Sequence, residues 1–298
     1  MQCYNPLTAY QSAEGGALVF TESRKYDTAK QLQIPCGQCA GCRLERSRQW
    51  AIRCMHEASQ HEHNSFVTLT YDDQHLPKNG GLQHRHFQLF MKRLRKNTGV
   101  QTRYYMAGEY GEQKARPHYH ACLFGIHFQD RTYYAKTETG ANIYTSATLD
   151  KLWGLGLCTI GDVTFESAAY CARYIMKKVT GKQAEKHYQS LDLETGEITQ
   201  LQPEYNAMSR RPGIGKGWID KYKTDVYPWG TVIVRGTPTK APRFYDQQYE
   251  KTDPYDYDEM KFKRQQEGKK RYQDNTPERL KVKETIQLAR LTQLKRKI

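Results

Sequence analysis

The sequence predicts an α+β fold, and three observations carry that expectation. Residues 66–71 and 103–125 have the β-branched and aromatic content and the apolar patterning of strands. Residues 44–60 and 83–96 have helical spacing instead, the second stretch amphipathic and basic. Strands and helices are mixed, and a hairpin-type connection replaces regular βαβ repeats.

In chain order, the helix at 44–60 leads to the strand at 66–71, and the basic helix at 83–96 leads to the hairpin at 103–125. Within that hairpin, Gly111-Glu112-Gln113-Lys114-Ala115-Arg116-Pro117 is a polar, glycine-opened turn, and Pro117 favours an extended entry into the next strand. Residues 157–165 read as a further strand leading into a helix that has Glu166 or Ser167 near its start. Residues 182–206 are polar and poorly periodic, the pattern of a mobile insertion. Between 210 and 244, glycine and proline punctuate short apolar pieces such as Thr231-Val232-Ile233-Val234, giving either a β-rich subregion or a wrap around the core. Thr276-Pro277 marks the start of a last helix.

Charge narrows the class of partner. The chain has 46 Lys and Arg against 32 Asp and Glu, a formal +14, which favours a polyanion. Residues 261–298 hold 13 basic and four acidic side chains, so most of the excess lies in the tail, where it suits either electrostatic DNA holding or a solvated basic helix. The 22 tyrosines offer planar faces on which unpaired bases can stack. No apolar run approaches a membrane span and Met1-Gln2-Cys3-Tyr4-Asn5-Pro6 has no signal-peptide core, so a cytoplasmic chain with no membrane partner is expected.

The most informative residues are His118-Tyr119-His120. Side chains alternate along a strand, so His118 and His120 project from one face and can share a divalent metal ion. The hairpin returns Glu109 beside His118, completing a His/His/Glu set with open positions that suits Mg²⁺ or Mn²⁺ acting on phosphate oxygens. Glu112 competes for that role but sits in the turn. His61-Glu62-His63 and His84-Arg85-His86 repeat the triplet without a strand context and read as polar surface histidines.

A second motif, Tyr170-Cys171-Ala172-Arg173-Tyr174-Ile175-Met176-Lys177-Lys178, supplies candidate nucleophiles. On a helix Tyr170, Tyr174 and Lys177 share one face, while Ala172, Ile175, Met176 and Val179 form the opposite, apolar one. Tyrosines at this spacing also simply stack on protein surfaces. A phenol of ordinary pKa about 10 needs help to attack, and Lys177 is placed to give it.

Eight cysteines in a cytoplasmic chain suggest reduced thiols. Cys36, Cys39 and Cys42 form Cys-x-x-Cys-x-x-Cys, which can wrap one soft metal ion; structural Zn²⁺ needs a fourth ligand, for which Cys3 and Cys54 are candidates, and packed or free thiols are the alternative. Cys122, Cys158 and Cys171 sit among apolar neighbours and read as core.

Phe66-Val67-Thr68-Leu69-Thr70-Tyr71, then Gly108-Glu109-Tyr110-Gly111 with Arg116-Pro117-His118-Tyr119-His120, then the tyrosine motif, resemble in order the three motifs of HUH rolling-circle replication-initiation endonucleases of the two-tyrosine type. Pro35-Cys36-Gly37-Gln38-Cys39-Ala40-Gly41-Cys42-Arg43 and Met208-Ser209-Arg210-Arg211-Pro212-Gly213-Ile214-Gly215 are similar to segments of the initiators of gokushovirus-type single-stranded DNA phages. The resemblance spans residues 3 to about 246. It implies a central antiparallel sheet and nicking of single-stranded origin DNA through a 5′-phosphotyrosine, with the host replication helicase and polymerase as partners. The expected organisation is a cysteine-containing segment and helix over 1–62, an HUH core over 63–182, an insertion and further elements of the same domain over 183–256, and a basic, partly helical tail over 257–298. Two other classes fit parts of the pattern: a non-catalytic zinc-containing nucleic-acid-binding regulator, and a metal-only nuclease with no covalent intermediate.

Overall fold

A computed structural model describes residues 3–11, 17–21, 31–111, 115–179, 181–191 and 195–293, without the side chains of 174–177 and 182. The chain divides into two compact units, one built on Met1–Arg46 with Asp258–Lys295 and the other on Ser47–Tyr257.

The first unit contains strands β1 (Leu7–Tyr10) and β2 (Gln31–Ile34), paired antiparallel, and the opening turns of helix α1 (Ala40–Ala58). Strand β3 (Asn64–Thr70), helix α2 (His84–Thr98), strands β4 (Arg103–Tyr110), β5 (Pro117–Phe124), β6 (Thr132–Lys136) and β7 (Asn142–Thr145), helix α3 (Ala147–Trp153), strand β8 (Cys158–Gly161) and helix α4 (Phe165–Lys177) follow in the second. Beyond them lie α5 (Lys182–His187), the hairpin β9 (Gln189–Leu191) and β10 (Ile198–Gln200), and strand β11 (Tyr205–Met208). Helices α6 (Lys216–Lys221) and α7 (Lys223–Val226), the hairpin β12 (Thr231–Val234) and β13 (Thr237–Lys240) and helix α8 (Arg243–Thr252) complete that unit. Helix α9 (Pro254–Lys270) leads back into the first unit, and α10 (Pro277–Gln293) begins at the expected proline.

The second unit is organised on a seven-stranded sheet of order β11-β4-β5-β3-β8-β7-β6, antiparallel throughout, so the α+β class and the antiparallel sheet are as expected. Strand alternation divides its faces. Val67, Leu69, Met106, Tyr119, Ala121, Leu123 and Ile160 point to one side, where they are buried against Phe87, Phe90, Met91 and Leu94 of α2 and Leu149, Leu152 and Trp153 of α3. Phe66, Tyr105, Ala107, Cys122 and Phe124 point to the other, against Ala51, Cys54 and Ala58 of α1 and Ala168, Cys171 and Ala172 of α4. Trp153 ties the first layer to the sheet by donating from Nε1 to the Thr70 carbonyl at 2.7 Å. Nearby, Gly156 has φ +146° and so little room that a Cβ would stand 2.4 Å from the Asp72 nitrogen, which lets the loop before β8 lie directly on the end of β3.

Several expectations are corrected. The polar stretch 182–206 holds a helix, a hairpin and the start of β11, which extends the sheet beside β4 with Tyr205 opposite Gly108; a four-residue strand is too short to leave a periodic signal. Residues 210–244 form two short helices and one hairpin, so they are β-rich only in part. Helix α4 ends at Lys177, which leaves Val179 outside the apolar stripe assigned to it. Cys54 is fully buried beside Cys122 and Cys171 and is excluded from the thiol cluster, whereas Cys122, Cys158 and Cys171 are core residues as read. His84 and His86 are half-buried rather than superficial, hydrogen-bonded to Tyr205 at 2.9 Å and to Tyr71 at 2.8 Å.

His56 of α1 generates a pH prediction. Its ring stacks on Trp218 with centroids 3.5 Å apart and its Nδ1 lies 2.9 Å from the Tyr245 hydroxyl. Burial pushes this imidazole down to about 4 from 6.5, because the charged form is desolvated. A base with a depressed folded-state pKa stabilises the fold in full above its unfolded value and loses that contribution as pH falls from about 6.5 to about 4. Since one unit is about 1.4 kcal/mol, the window is worth at most about 3 kcal/mol. Urea midpoints measured between pH 7 and 4.5 should therefore fall more steeply in the wild type than in His56→Gln; equal slopes would remove His56 from the acid response.

Candidate active site

Strand pairing builds the site. The chain reverses between β4 and β5, where the Gly111 amide donates to the Arg116 carbonyl at 3.0 Å, and this sets Glu109 opposite His118 and Ala107 opposite His120. On the other edge of β5, Thr68 of β3 stands opposite His120 and Thr70 opposite His118. Glu109, His118 and His120 share the face that carries α4, and one ligand atom from each lies within 4.8 Å of the others. Glu112, the competing carboxylate, lies outside the described residues.

The two histidines aim the same nitrogen at the same oxygen. Nε2 of His118 is 2.6 Å from Oε1 of Glu109, and Nε2 of His120 is 3.0 Å from it. Nδ1 of His118 faces the Arg116 carbonyl at 3.1 Å, and because a carbonyl only accepts, Nδ1 carries the proton. The neutral ring then points an Nε2 lone pair at a carboxylate lone pair, an arrangement that requires a positive charge between them. A proton or a divalent cation satisfies it, so this donor set fits a metal ion. His120 is oriented by Thr68, whose hydroxyl is 2.9 Å from its Nδ1, and by Phe66, which stacks on it at 5.8 Å.

Glu109 is 2% exposed. Burial pushes its carboxyl up, but the hydrogen bonds to His118 and His120 and their charge more than offset this and hold it below the ordinary carboxylate value.

Helix α4 brings Tyr170 to this group. Its N-terminus is fixed by a capping box: the Thr164 hydroxyl accepts from the Ser167 amide at 3.2 Å, and Ser167 Oγ accepts from the Thr164 amide at 2.8 Å. Ala168, Cys171 and Ala172 bury against the sheet, which turns Tyr170 toward the histidines. The Tyr170 ring meets His120 edge to face with centroids 5.1 Å apart. Tyr174 follows one turn later on α4 and Lys177 is its last residue, but their side chains lie outside the described ones.

Two residues that sequence reasoning missed hold α4 in place. Asn206 of β11 donates from Nδ2 to the Cys171 carbonyl at 3.0 Å and to the Met106 carbonyl of β4 at 3.1 Å, bridging helix and sheet. Ser47 of α1 donates to the Ala169 carbonyl at 3.0 Å. These bonds grip the peptide units on either side of Tyr170. Only a strand assignment for 205–208 could have signalled Asn206, and nothing in the local pattern marks Ser47.

Asn206→Ala removes both bridging bonds and leaves two buried carbonyls with one partner fewer, which should cost about 1–3 kcal/mol in urea unfolding. Asn206→Asp, which keeps the volume but loses the donors, should be at least as damaging. Wild-type stability in both variants would contradict the bridging role.

Comparison with known proteins agrees with this architecture. Residues 64–179 match the replication-associated protein ORF2 family, a stretch that runs from β3 to just beyond α4. The chain is 35% identical to replication-associated protein VP4 of Bdellovibrio phage phiMH2K over 85% of its own length and 79% of that protein's. It is 32% identical to replication-associated protein ORF2 of Spiroplasma virus 4 over 91% and 88%. Replication-associated protein ORF4 of Chlamydia phage 1 matches at 34% over 51% of this chain and 41% of its own. No solved structure matches. On these similarities, which span nearly the whole chain and include the strands and helix that carry the site, the protein belongs to the family of phage replication-associated proteins.

Proposed function

We propose that the protein nicks and rejoins single-stranded DNA at a phage replication origin through a covalent 5′-phosphotyrosine, and so initiates rolling-circle replication. The observation that carries this reading is the 5.1 Å edge-to-face contact between Tyr170 and His120, which sets a nucleophile-bearing helix over a cluster of two imidazoles and a carboxylate. Membership of a replication-associated family supports DNA as the substrate, and the formal charge of +14 supports a polyanion.

Glu109, His118 and His120 would hold Mg²⁺ or Mn²⁺, which when bound polarises a phosphate oxygen and offsets charge developing on it. The chain's own groups do the rest. The Tyr170 or Tyr174 phenol gives up its proton, aided by the charge of Lys177, and its oxygen attacks the scissile phosphorus in line with the 3′ oxygen. The P–O3′ bond breaks, the 3′ oxygen takes up a proton and leaves as a hydroxyl that can prime a polymerase, and the 5′-phosphate stays on tyrosine. The phosphotyrosine keeps the energy of the broken bond, so rejoining needs no ATP. A second tyrosine one turn along lets one phenol hold the old 5′ end while the other cuts the regenerated origin. The host replication helicase and polymerase are the partners this cycle requires, in the cytoplasm of the host cell.

Incubation with end-labelled single-stranded origin DNA, followed by a denaturing gel, tests the reading. Wild-type protein should retain covalent label when Mg²⁺ or Mn²⁺ is present. His118→Ala and His120→Ala should each lower the nicking rate by about 100-fold or more while binding DNA nearly as well, since affinity comes from dispersed basic groups. Each of Tyr170→Phe and Tyr174→Phe should still form some adduct but fail at sustained strand transfer, and the double variant should form none. Cut product free of protein would point to a metal-only nuclease, and uncut DNA to a non-catalytic binder.

A further inference from the structure

A second cluster of metal-binding character lies in the first unit, and the nicking reaction makes no use of it. Register builds it. Leu7 of β1 pairs with Ile34 of β2, so this end of the two-stranded sheet brings the residues just before β1 next to those just after β2. Cys3 precedes Leu7 by a few residues, Cys36 and Cys39 follow Ile34, and Cys42 lies in the first turn of α1. Their four sulfur atoms all lie within 4.8 Å of one another.

Two observations distinguish this cluster from four thiols that merely pack together. The first is spacing. A tetrahedral Zn²⁺ site with Zn–S bonds of about 2.3 Å requires sulfurs about 3.8 Å apart. The Sγ atoms of Cys39 and Cys3 are 3.9 Å apart, far beyond bonding distance for a disulfide. The second is the direction of the backbone amides. The Cys36 amide donates to Sγ of Cys3 at 3.3 Å, the Tyr4 amide to Sγ of Cys39 at 3.3 Å, and the Gln38 and Cys39 amides to Sγ of Cys36 at 3.4 and 3.3 Å. A turn through Gly37, at φ +73°, makes the last two possible. Amides that converge on sulfur favour thiolate over thiol. Helix α1 adds the positive end of its dipole, and it has no acidic residue in its first turn.

We infer that Cys3, Cys36, Cys39 and Cys42 hold one Zn²⁺ as a closed, four-thiolate structural site. On binding, the four thiols release their protons to solvent and the ion takes one bond from each sulfur, which leaves no open position for catalysis. The fold gives the ion a task. A two-stranded sheet is marginal by itself, and this one is thinly covered, with Leu7 44% and Leu32 38% exposed. Zinc joins the start of β1 to the end of β2 and to the first turn of α1, stapling a sheet that lacks a core of its own.

Full-length protein without a histidine tag, purified in reducing buffer from zinc-supplemented cells, should carry about one zinc per chain by elemental mass spectrometry. The double variant His118→Ala/His120→Ala should keep that zinc, whereas Cys36→Ser/Cys39→Ser should lose it and become sensitive to limited proteolysis between β1 and β2. Should the cysteine variant fail to fold, wild-type protein loaded with Co²⁺ decides: intense visible bands and a thiolate-to-cobalt charge-transfer band mark a tetrahedral four-thiolate site. Zinc absent from active protein, zinc lost with the two histidines instead, iron with acid-labile sulfide, or a disulfide within the cluster under reducing conditions would each overturn the assignment.

Discussion

The site depends on the register of one strand pair. Because Glu109 faces His118 across β4 and β5, and because residues two apart share a face, a single alignment sets a buried carboxylate against two imidazoles. A slip of one residue would present Gly108 and Tyr119 on that face instead. The pairing is strongly specified, since Tyr119, Ala121 and Leu123 are fully buried on the opposite side and any slip would carry them out of the core. The same alternation that packs α2 and α3 onto one face therefore delivers the histidines to the other.

That second face does two jobs at once. Toward Phe124 and Cys122 it is apolar and receives α1 and α4, and toward Glu109 it is polar. Helix α4 lies along the transition, with Ala168, Cys171 and Ala172 small enough for close approach and Tyr170 at the boundary. Its position is fixed by its capping box and by the side chains of Asn206 and Ser47, which grip backbone carbonyls next to Tyr170. A phenol meant to attack one phosphate needs such support, because small displacements of reacting groups cost large factors in rate.

Much of this was legible in the sequence, and the limits have physical causes. The β4–β5 hairpin was readable because alternation, the proline-led entry and the glycine-opened turn agree, and the choice of Glu109 over a turn carboxylate followed from side-chain direction alone. Helix α10 was readable because Thr276-Pro277 is a strong local start signal. Strand β11 was not, since four residues between polar flanks carry no period, and with it went Asn206. Spacing left the fourth member of the thiol cluster open between Cys3 and Cys54; the β1–β2 register decides for Cys3, and burial in the core removes Cys54. The surface reading of His84 and His86 failed because polarity in sequence says nothing about a buried tyrosine hydroxyl waiting as a partner.

The claim that binds these observations together is that the phenols of α4 attack DNA over the Glu109, His118 and His120 cluster. Its most direct measurement is peptide mapping of the protein–DNA adduct trapped with single-stranded origin DNA, by protease digestion and tandem mass spectrometry. The account predicts a 5′-phosphonucleotide on the peptide that contains Tyr170 and Tyr174, divided between those two residues alone. Attachment at any other residue would contradict it.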